Sequence, residues 1–409
     1  MSYVGIIAEF NPFTNGHEYI INEAKKQTGL DVICIMSGNL VQRGEMACLD
    51  KYTRATHAIK AGASMVFELP TAYALSSADD FGKGAVKCLN ELKEISHLAF
   101  GIETNNIEFL EKVAKFKAKE SLSFKNNLKA FIKLGDSYSV ASYKAYLKEF
   151  PKETKSLDEL FSNPNNILAL TYLSAIYKHK LKITPVYVKR QDNGYNSFEE
   201  KEVLIDNTLK TFASATHIRE MVKNEETSTI KKVTPSYVFE DLQKMHSQDY
   251  KNAILIAHSL FVSAIRNKTC DDLKKLYDYK EGLPSLIFKE SHKNGSFEEI
   301  VTACTSKAYR ENRIRKILTY AYMELSQNIV DETKKNISVL NILACKESYK
   351  NNLRDIKRKA VAKIIISNSD FISLSSKEKE ILSLNQKGTD LHNLANQKPT
   401  SIDKAIFVR

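Results

Sequence analysis

Residues Ile6 to Tyr19 read IIAEFNPFTNGHEY, and Thr14, Gly16 and His17 stand there in a spacing suited to holding an anion. An apolar run ends at Phe10, a turn of Asn11, Pro12, Phe13, Thr14 and Asn15 follows, and a helix opens at Gly16-His17. A strand-turn-helix passage of this kind aims backbone N–H groups and the positive end of a helix at whatever lies above the strand end, and phosphate is its natural occupant. Gly16 lets the backbone come close, His17 can donate to phosphate oxygens, and Thr14 supplies a hydroxyl two residues before the glycine. A lone histidine at a helix start is more often a cap or a packing residue, but the whole context favours the phosphate reading.

Two further groups invite a chemical reading. The run Ser37 to Arg54 carries Ser37, Asn39, Gln42, Arg43, Glu45, Asp50, Lys51 and Arg54 after a strand end. A solvated loop is the plain alternative, yet its place over the C-terminal edge of a parallel sheet points to a substrate or RNA role. Asp79-Asp80 is a carboxylate pair, but neighbours on a helix diverge by about 100° around its axis, so capping or solvation is expected instead of a catalytic dyad.

These residues need a frame, and the periodicity supplies one. Apolar runs at Tyr3 to Phe10, Asp31 to Met36, Ser64 to Leu69, His97 to Gly101 and Lys182 to Val188 read as strands. Amphipathic stretches at Gly16 to Lys26, Lys51 to Ala61, Ala78 to Leu92, Ile107 to Lys119 and Ser137 to Phe150 read as helices between them. Strand alternating with helix is the pattern of an α/β fold with a parallel sheet. After Glu220 the apolar spacing turns helical over Tyr250 to Arg266, Ser296 to Ser306, Arg310 to Leu325 and Asn352 to Ile366, and the polar stretch from Asn385 is expected to be loosely ordered. Two domains are therefore expected, residues 1–220 with the sheet and 221–409 basic and mainly helical.

The charge follows the same division. The chain has 409 residues, 60 Lys plus Arg and 49 Asp plus Glu, a net charge of +11. Beyond Glu220, 32 basic residues face 23 acidic ones, so nine of the eleven excess charges lie there. A polyanionic partner is implied. Lys307, Arg310, Arg313, Arg315 and Lys316 crowd one helical segment, and Arg354, Lys357, Arg358, Lys359 and Lys363 another. The six cysteines form no C-x-x-C pair and no metal-ligand spacing, so reduced thiols and no metal site are expected. No signal-peptide pattern and no 18-residue apolar run is present, so a cytoplasmic protein without membrane contact is expected.

The T-N-G-H stretch after F-N-P resembles the (H/T)-x-G-H signature of the nucleotidyltransferase superfamily. Ser214-Ala215-Thr216-His217-Ile218-Arg219 is similar to the S-x-T-x-I-R element that closes such domains. MSGNLVQRGEMACLDKYTRA from Met36, FELPTAYALSSADDF from Phe67, LAFGIE from Leu98, NPNNILAL from Asn163, VKRQDNGYNS from Val188 and EGLPSLIFK from Glu281 narrow the resemblance to the bacterial tRNA(Met) cytidine acetate ligases.

That resemblance implies a Rossmann-like nucleotidyltransferase domain followed by a helical tRNA-binding domain. It implies activation of acetate by ATP to acetyl-adenylate, with release of pyrophosphate, and transfer of the acetyl group to the exocyclic amine of the wobble cytidine of elongator tRNA(Met). No acetyl-CoA requirement is implied. The nucleotide segment would be Ile7 to Ile20, including Ile7, Asn11, Pro12, Thr14, Gly16, His17 and Ile20. Gly101, Asn165, Arg190, Gln191, Ser214, Thr216 and Arg219 would be further contacts, and His17, Thr14 and Arg219 the catalytic set.

The chain departs from the family at Thr14, where histidine is usual, and at Gly194-Tyr195-Asn196-Ser197, where G-Y-H-D is usual. Carboxylate activation needs positioning and cationic stabilisation and no proton acceptor, since acetate is already an anion at neutral pH. Mg²⁺ is expected on the phosphates and water without a protein cage. A small-molecule adenylyltransferase and a non-catalytic RNA-binding relative are the alternatives.

Overall fold

The computed structural model describes residues 2–191, 199–205, 208–278, 280, 282–306, 309–401 and 403–409. Gly194, Tyr195, Asn196, Ser197 and Lys307 lie outside the described residues.

A run such as DVICIMS lacks polar alternation because both faces of its strand are covered. In β2 (Asp31–Ser37), Ile33 and Ile35 enter one hydrophobic core, and Val32, Cys34 and Met36 enter another on the opposite face. With β1 (Tyr3–Ala8), β3 (Ala63–Leu69), β4 (Ile95–Ile102) and β5 (Thr184–Lys189), it makes a parallel sheet in the order β3-β2-β1-β4-β5. The helices Asn15–Thr28, Lys51–Lys60 and Ala78–Glu91 lie on the crossovers. The order reverses between β1 and β4, so their C-terminal ends open the crevice in which such sheets bind ligands. The parallel α/β sheet expected for the first part is found, with all five of its expected strands. A separate hairpin of β6 (Lys201–Ile205) and β7 (Thr208–Phe212) follows β5.

The remainder is mainly helical, around a core that also takes Leu40, Met46, Ala72 and Leu75 from the first part. It also returns to the sheet: β8 (Val339–Lys346) pairs antiparallel with β3, and β9 (Lys363–Ile365) and β10 (Ile406–Val408) pair parallel with β8. The cut expected after Glu220 falls inside the helix Ala215–Lys223. Asn352 to Ile366, expected as one helix, divides into the helix Lys350–Lys359 and β9. The buried pair Leu353 and Ile356 fixes the helical face, and the β-branched run Ile364-Ile365-Ile366 then suits a strand.

The first part of the stretch from Asn385 is helical, against expectation: residues 385–395 belong to the helix Ser376–Ala395, in which Asn385, Thr389 and His392 are buried. Asn385 Oδ1 accepts the Thr71 N–H at 3.1 Å and the Thr71 hydroxyl at 2.8 Å. At Asn385 and Thr389 polarity marks internal hydrogen bonds, not exposure to water. All six cysteines are unpaired and five are buried. Among the described residues no helix is long and apolar enough to cross a membrane.

A buried ionic network ties the chain end to the sheet. Lys51 Nζ lies 2.9 Å from Glu68 Oε1 and 2.5 Å from Asp403 Oδ2. Asn341 Nδ2 donates to Glu68 Oε2 at 3.0 Å, and the Thr389 hydroxyl donates to Asp403 Oδ1 at 2.9 Å. Burial works against the Lys51 charge, but the two carboxylates outweigh it and hold its ammonium above the usual range. Removing one partner of such a network strands the others, at a cost of about 3–5 kcal/mol. Lys51→Met is therefore expected to lose about that much stability in denaturant unfolding, and adding Glu68→Gln to recover part of it. A Lys51→Met variant of unchanged stability would contradict this account.

Candidate active site

The Thr14 hydroxyl caps the helix Asn15–Thr28 by accepting the His17 N–H at 3.3 Å, and Thr14 N–H donates to His17 Nδ1 at 3.1 Å. This is a capping box with histidine where glutamate is usual. It makes Nδ1 an acceptor and leaves the imidazole proton on Nε2, so the ring presents a donor beside the helix N-terminus. Phe10 and Phe13 fix the ring from the sides, with centroids at 5.0 and 5.5 Å. Asn11-Pro12 is a cis peptide, and Phe10 has φ 50°, an uncommon conformation for a bulky residue. The helix start is pinned by Asn15, whose Nδ2 donates to Thr211 O at 2.8 Å and Lys232 O at 2.9 Å. Ile7 and Ile20 are half-buried and pack against the two cores on either side of the sheet.

On the β4–β5 side, Arg190 Nη1 donates to Asn165 Oδ1 at 3.0 Å, and Asn165 Nδ2 donates to Glu103 Oε1 at 2.6 Å. Gly101 makes room for this: a Cβ there would come within 3.1 Å of Arg190 Cγ. Gln191 Nε2 donates to the Tyr19 hydroxyl at 3.2 Å, joining the end of β5 to the Asn15–Thr28 helix.

The second motif closes the opposite side. Ser214 Oγ caps the helix Ala215–Lys223 by accepting the His217 N–H at 3.1 Å. Arg219 Nη2 donates to Thr216 Oγ1 at 3.3 Å, and Arg219 Nη1 donates to Asn11 O at 2.7 Å. Two motifs some 200 residues apart in sequence are thus joined by one hydrogen bond. Thr14, His17, Arg219 and two helix N-termini surround the end of β1, with Arg190 beyond: an arrangement able to hold a polyphosphate and stabilise charge developing on it.

The model of the HIGH Nucleotidyl Transferase family matches residues 1–405. A tRNA(Met) cytidine acetate ligase from a Thermoanaerobacter species is 34% identical over 410 residues, covering 100% of this chain and 98% of the relative. The chain belongs to this ligase family. A ligase of the same name from Clostridium novyi is 34% identical over 97% of this chain and 96% of its own length. The crystal structure of Thermotoga maritima TmcAL without ligand matches with a TM-score of 0.89 at 24% identity, each chain covered in full. The structure of that protein bound to alpha-thio ATP matches with a TM-score of 0.87, again at 24% identity and full coverage.

Glu9 was singled out by no motif, whereas Arg54 belongs to the run expected to meet substrate or RNA; both lie beside the phosphate turn. Arg54 is fully buried, and its guanidinium donates to Leu49 O at 2.9 Å, Glu9 O at 2.6 Å, Ser37 O at 3.2 Å and Gly38 O. Glu9 Oε1 accepts the Gln42 N–H at 2.7 Å, and burial pushes its carboxyl above the ordinary value. The run Ser37 to Arg54 is packed: Ser37, Asn39, Lys51 and Arg54 are all buried, and Leu40 and Met46 join the helical core. Gly44 turns with φ 80° where the Glu311–Met323 helix comes close, its carbonyl accepting the Thr319 hydroxyl at 2.7 Å. Asp79 pairs with Lys83 and Lys117, and Asp80 with Lys334, so each is a fastener.

The first basic cluster is largely spent on the protein itself. Arg313 pairs with Asp278 at 2.6 Å, Arg315 with Glu298 at 2.5 Å, and Lys316 Nζ donates to Ser76 O at 2.7 Å. In the second cluster Lys357 meets Asp370, Arg358 meets Asp355 at 2.7 Å and Lys359 meets Glu94 at 2.7 Å.

Burial pushes His392, in the Ser376–Ala395 helix, down to about 4, with Asp50 opposing; burial also pushes His258 down to about 4. Unfolded imidazoles titrate near 6.5, so between these values the unfolded chain binds protons that the folded chain does not, and acid favours unfolding. Stability is expected to fall from pH 7 to pH 5 by up to about 2 kcal/mol per histidine. Denaturant titrations at both pH values should show a smaller loss for His392→Gln; an equal loss would contradict the assignment.

Proposed function

We propose that this chain is an ATP-dependent tRNA cytidine acetate ligase. It activates acetate as acetyl-adenylate, releases pyrophosphate, and acetylates the exocyclic amine of the wobble cytidine of elongator tRNA(Met), giving N4-acetylcytidine and AMP. The observation that carries this reading is the Arg219–Asn11 hydrogen bond, which closes the two nucleotidyltransferase motifs around one strand end in a chain that matches ligases over their whole length.

In the first step the triphosphate lies across the Asn15–Thr28 helix start, with His17 Nε2–H and Arg219 directed at its phosphates. Thr14 already accepts a backbone N–H as helix cap, so its contribution there is orientation of His17. Asn165, Arg190, Gln191 and the backbone at Gly101 hold the nucleoside side. A carboxylate oxygen of acetate attacks the α-phosphorus while negative charge builds on the leaving pyrophosphate, and the site supplies alignment and positive charge. Mg²⁺ would sit on the phosphates and water; among the described residues no group of three or more His, Cys, Asp or Glu is arranged to hold a metal. The basic excess beyond Glu220 serves folded RNA in the cytoplasm, through the cations that remain exposed, such as Arg358 at 77% side-chain exposure.

The test is incubation with ATP, labelled acetate and bulk tRNA. N4-acetylcytidine is expected to form with ATP and acetate and not with acetyl-CoA alone. Label on a small acceptor without tRNA would favour an adenylyltransferase, and ATP binding without turnover a non-catalytic relative. His17→Ala is expected to lower turnover about 10²–10³-fold, the cost of removing one donor to developing charge; normal turnover in that variant would refute the phosphate-site assignment.

A further inference from the structure

Glu9 sits between the phosphate turn and the loop that the helical part covers. It follows β1 directly and precedes Phe10, and its backbone is held by Arg54. Its side chain crosses toward β2, where Oε1 accepts the Gln42 N–H at 2.7 Å and lies 3.5 Å from the Ser37 hydroxyl. A carboxylate beside a polyphosphate site is unfavourable unless its charge is used, since an amide oxygen would hold the Gln42 N–H equally well without repelling phosphate.

The reaction supplies a use. Acyl transfer to an exocyclic amine needs a group to take the amine proton, and most other candidates at this sheet edge are committed. His17 accepts the Thr14 N–H on Nδ1 and carries its proton on Nε2. Asp50 caps the Lys51–Lys60 helix, Glu68 is tied to Lys51, and Glu103 lies on the nucleoside side with Asn165. With the nucleotide held at the β1, β4 and β5 ends as proposed above, the acceptor is left the side of β2 and its loop, toward which Glu9 points.

Resting on the function proposed above, we propose that the Glu9 carboxylate is the base of the acetyl-transfer step. The amine nitrogen attacks the carbonyl carbon of acetyl-adenylate and a C–N bond forms. The bond from that carbon to the phosphate-bound oxygen breaks, AMP leaves with the electron pair, and the amine proton passes to Glu9. Arg54, Arg219, Glu45, Lys316 and Tyr172 face Glu9 from the elements packed around it. Burial, the largest influence, raises its proton affinity and suits it to the task, while the two arginines moderate the rise.

Glu9→Gln keeps an oxygen for the Gln42 N–H and cannot take the proton. Acetate-dependent ATP–pyrophosphate exchange reads the first step, and single-turnover transfer from preformed acetyl-adenylate to tRNA reads the second. Transfer is expected to fall at least tenfold more than exchange, within the 10²–10⁴-fold span of general-base catalysis. Losses within tenfold of each other would overturn the proposal, and that is also the result for a carboxylate that serves only structure or a metal. The wild type gives a second measure: its transfer rate should decline as pH falls through the Glu9 titration, Glu9→Asp should keep that decline and Glu9→Gln lose it. A wild-type transfer rate flat with acid also overturns it. Absence of acetate-dependent exchange in the wild type would sink the function itself, a failure separate from loss of the Glu9 step alone.

Discussion

The candidate site depends on one buried cation. Arg54 has no contact with solvent, and its guanidinium holds backbone carbonyls at the end of β1, the end of β2 and the start of its own helix. Carbonyls leaving the end of a parallel strand have no further ladder partner, and burying them unpaired costs about 1–3 kcal/mol each. A single planar fork satisfies several and sets the distance between adjacent strand ends. Glu9, Phe10 and the phosphate turn begin where that clamp grips.

From this point the molecule is closed by long-range fasteners. Arg219 reaches Asn11 from the helix after the hairpin, and Asn15 reaches the backbone of β7 and of Lys232. The loop beyond β2 inserts Leu40 and Met46 into the helical core, while Lys51 engages Asp403 near the chain end. The sheet edge and the helical part are therefore packed together around the loop, where the Glu311–Met323 helix meets Gly44 and Ser76.

The parallel sheet was legible because strands buried on both faces read as unbroken apolar runs, and DVICIM or SMVFEL could be little else in a soluble chain. The phosphate turn was legible because Thr14, Gly16 and His17 act locally, within one capping box. β9 and the last long helix were not. Ile364 to Ile366 follows a helical period too closely to be separated by spacing, and buried Asn385, Thr389 and His392 look like surface residues until their partners are known. The internal partners of the first basic cluster were illegible for the same reason, since Asp278, Glu298 and Ser76, which meet Arg313, Arg315 and Lys316, come from other segments.

Local order in the chain, then, was sufficient for the fold class, the ATP-type turn and the family. Folding alone decided that β8 would complete the first sheet, that Arg54 and Lys51 would be internal, and that Glu9 would face the loop across the strand ends. The physical reason is range. Periodicity and capping act over a few residues and are written in adjacent letters, whereas the partner of a buried charge or carbonyl is fixed by packing, and in this chain it stands as far as 352 positions away.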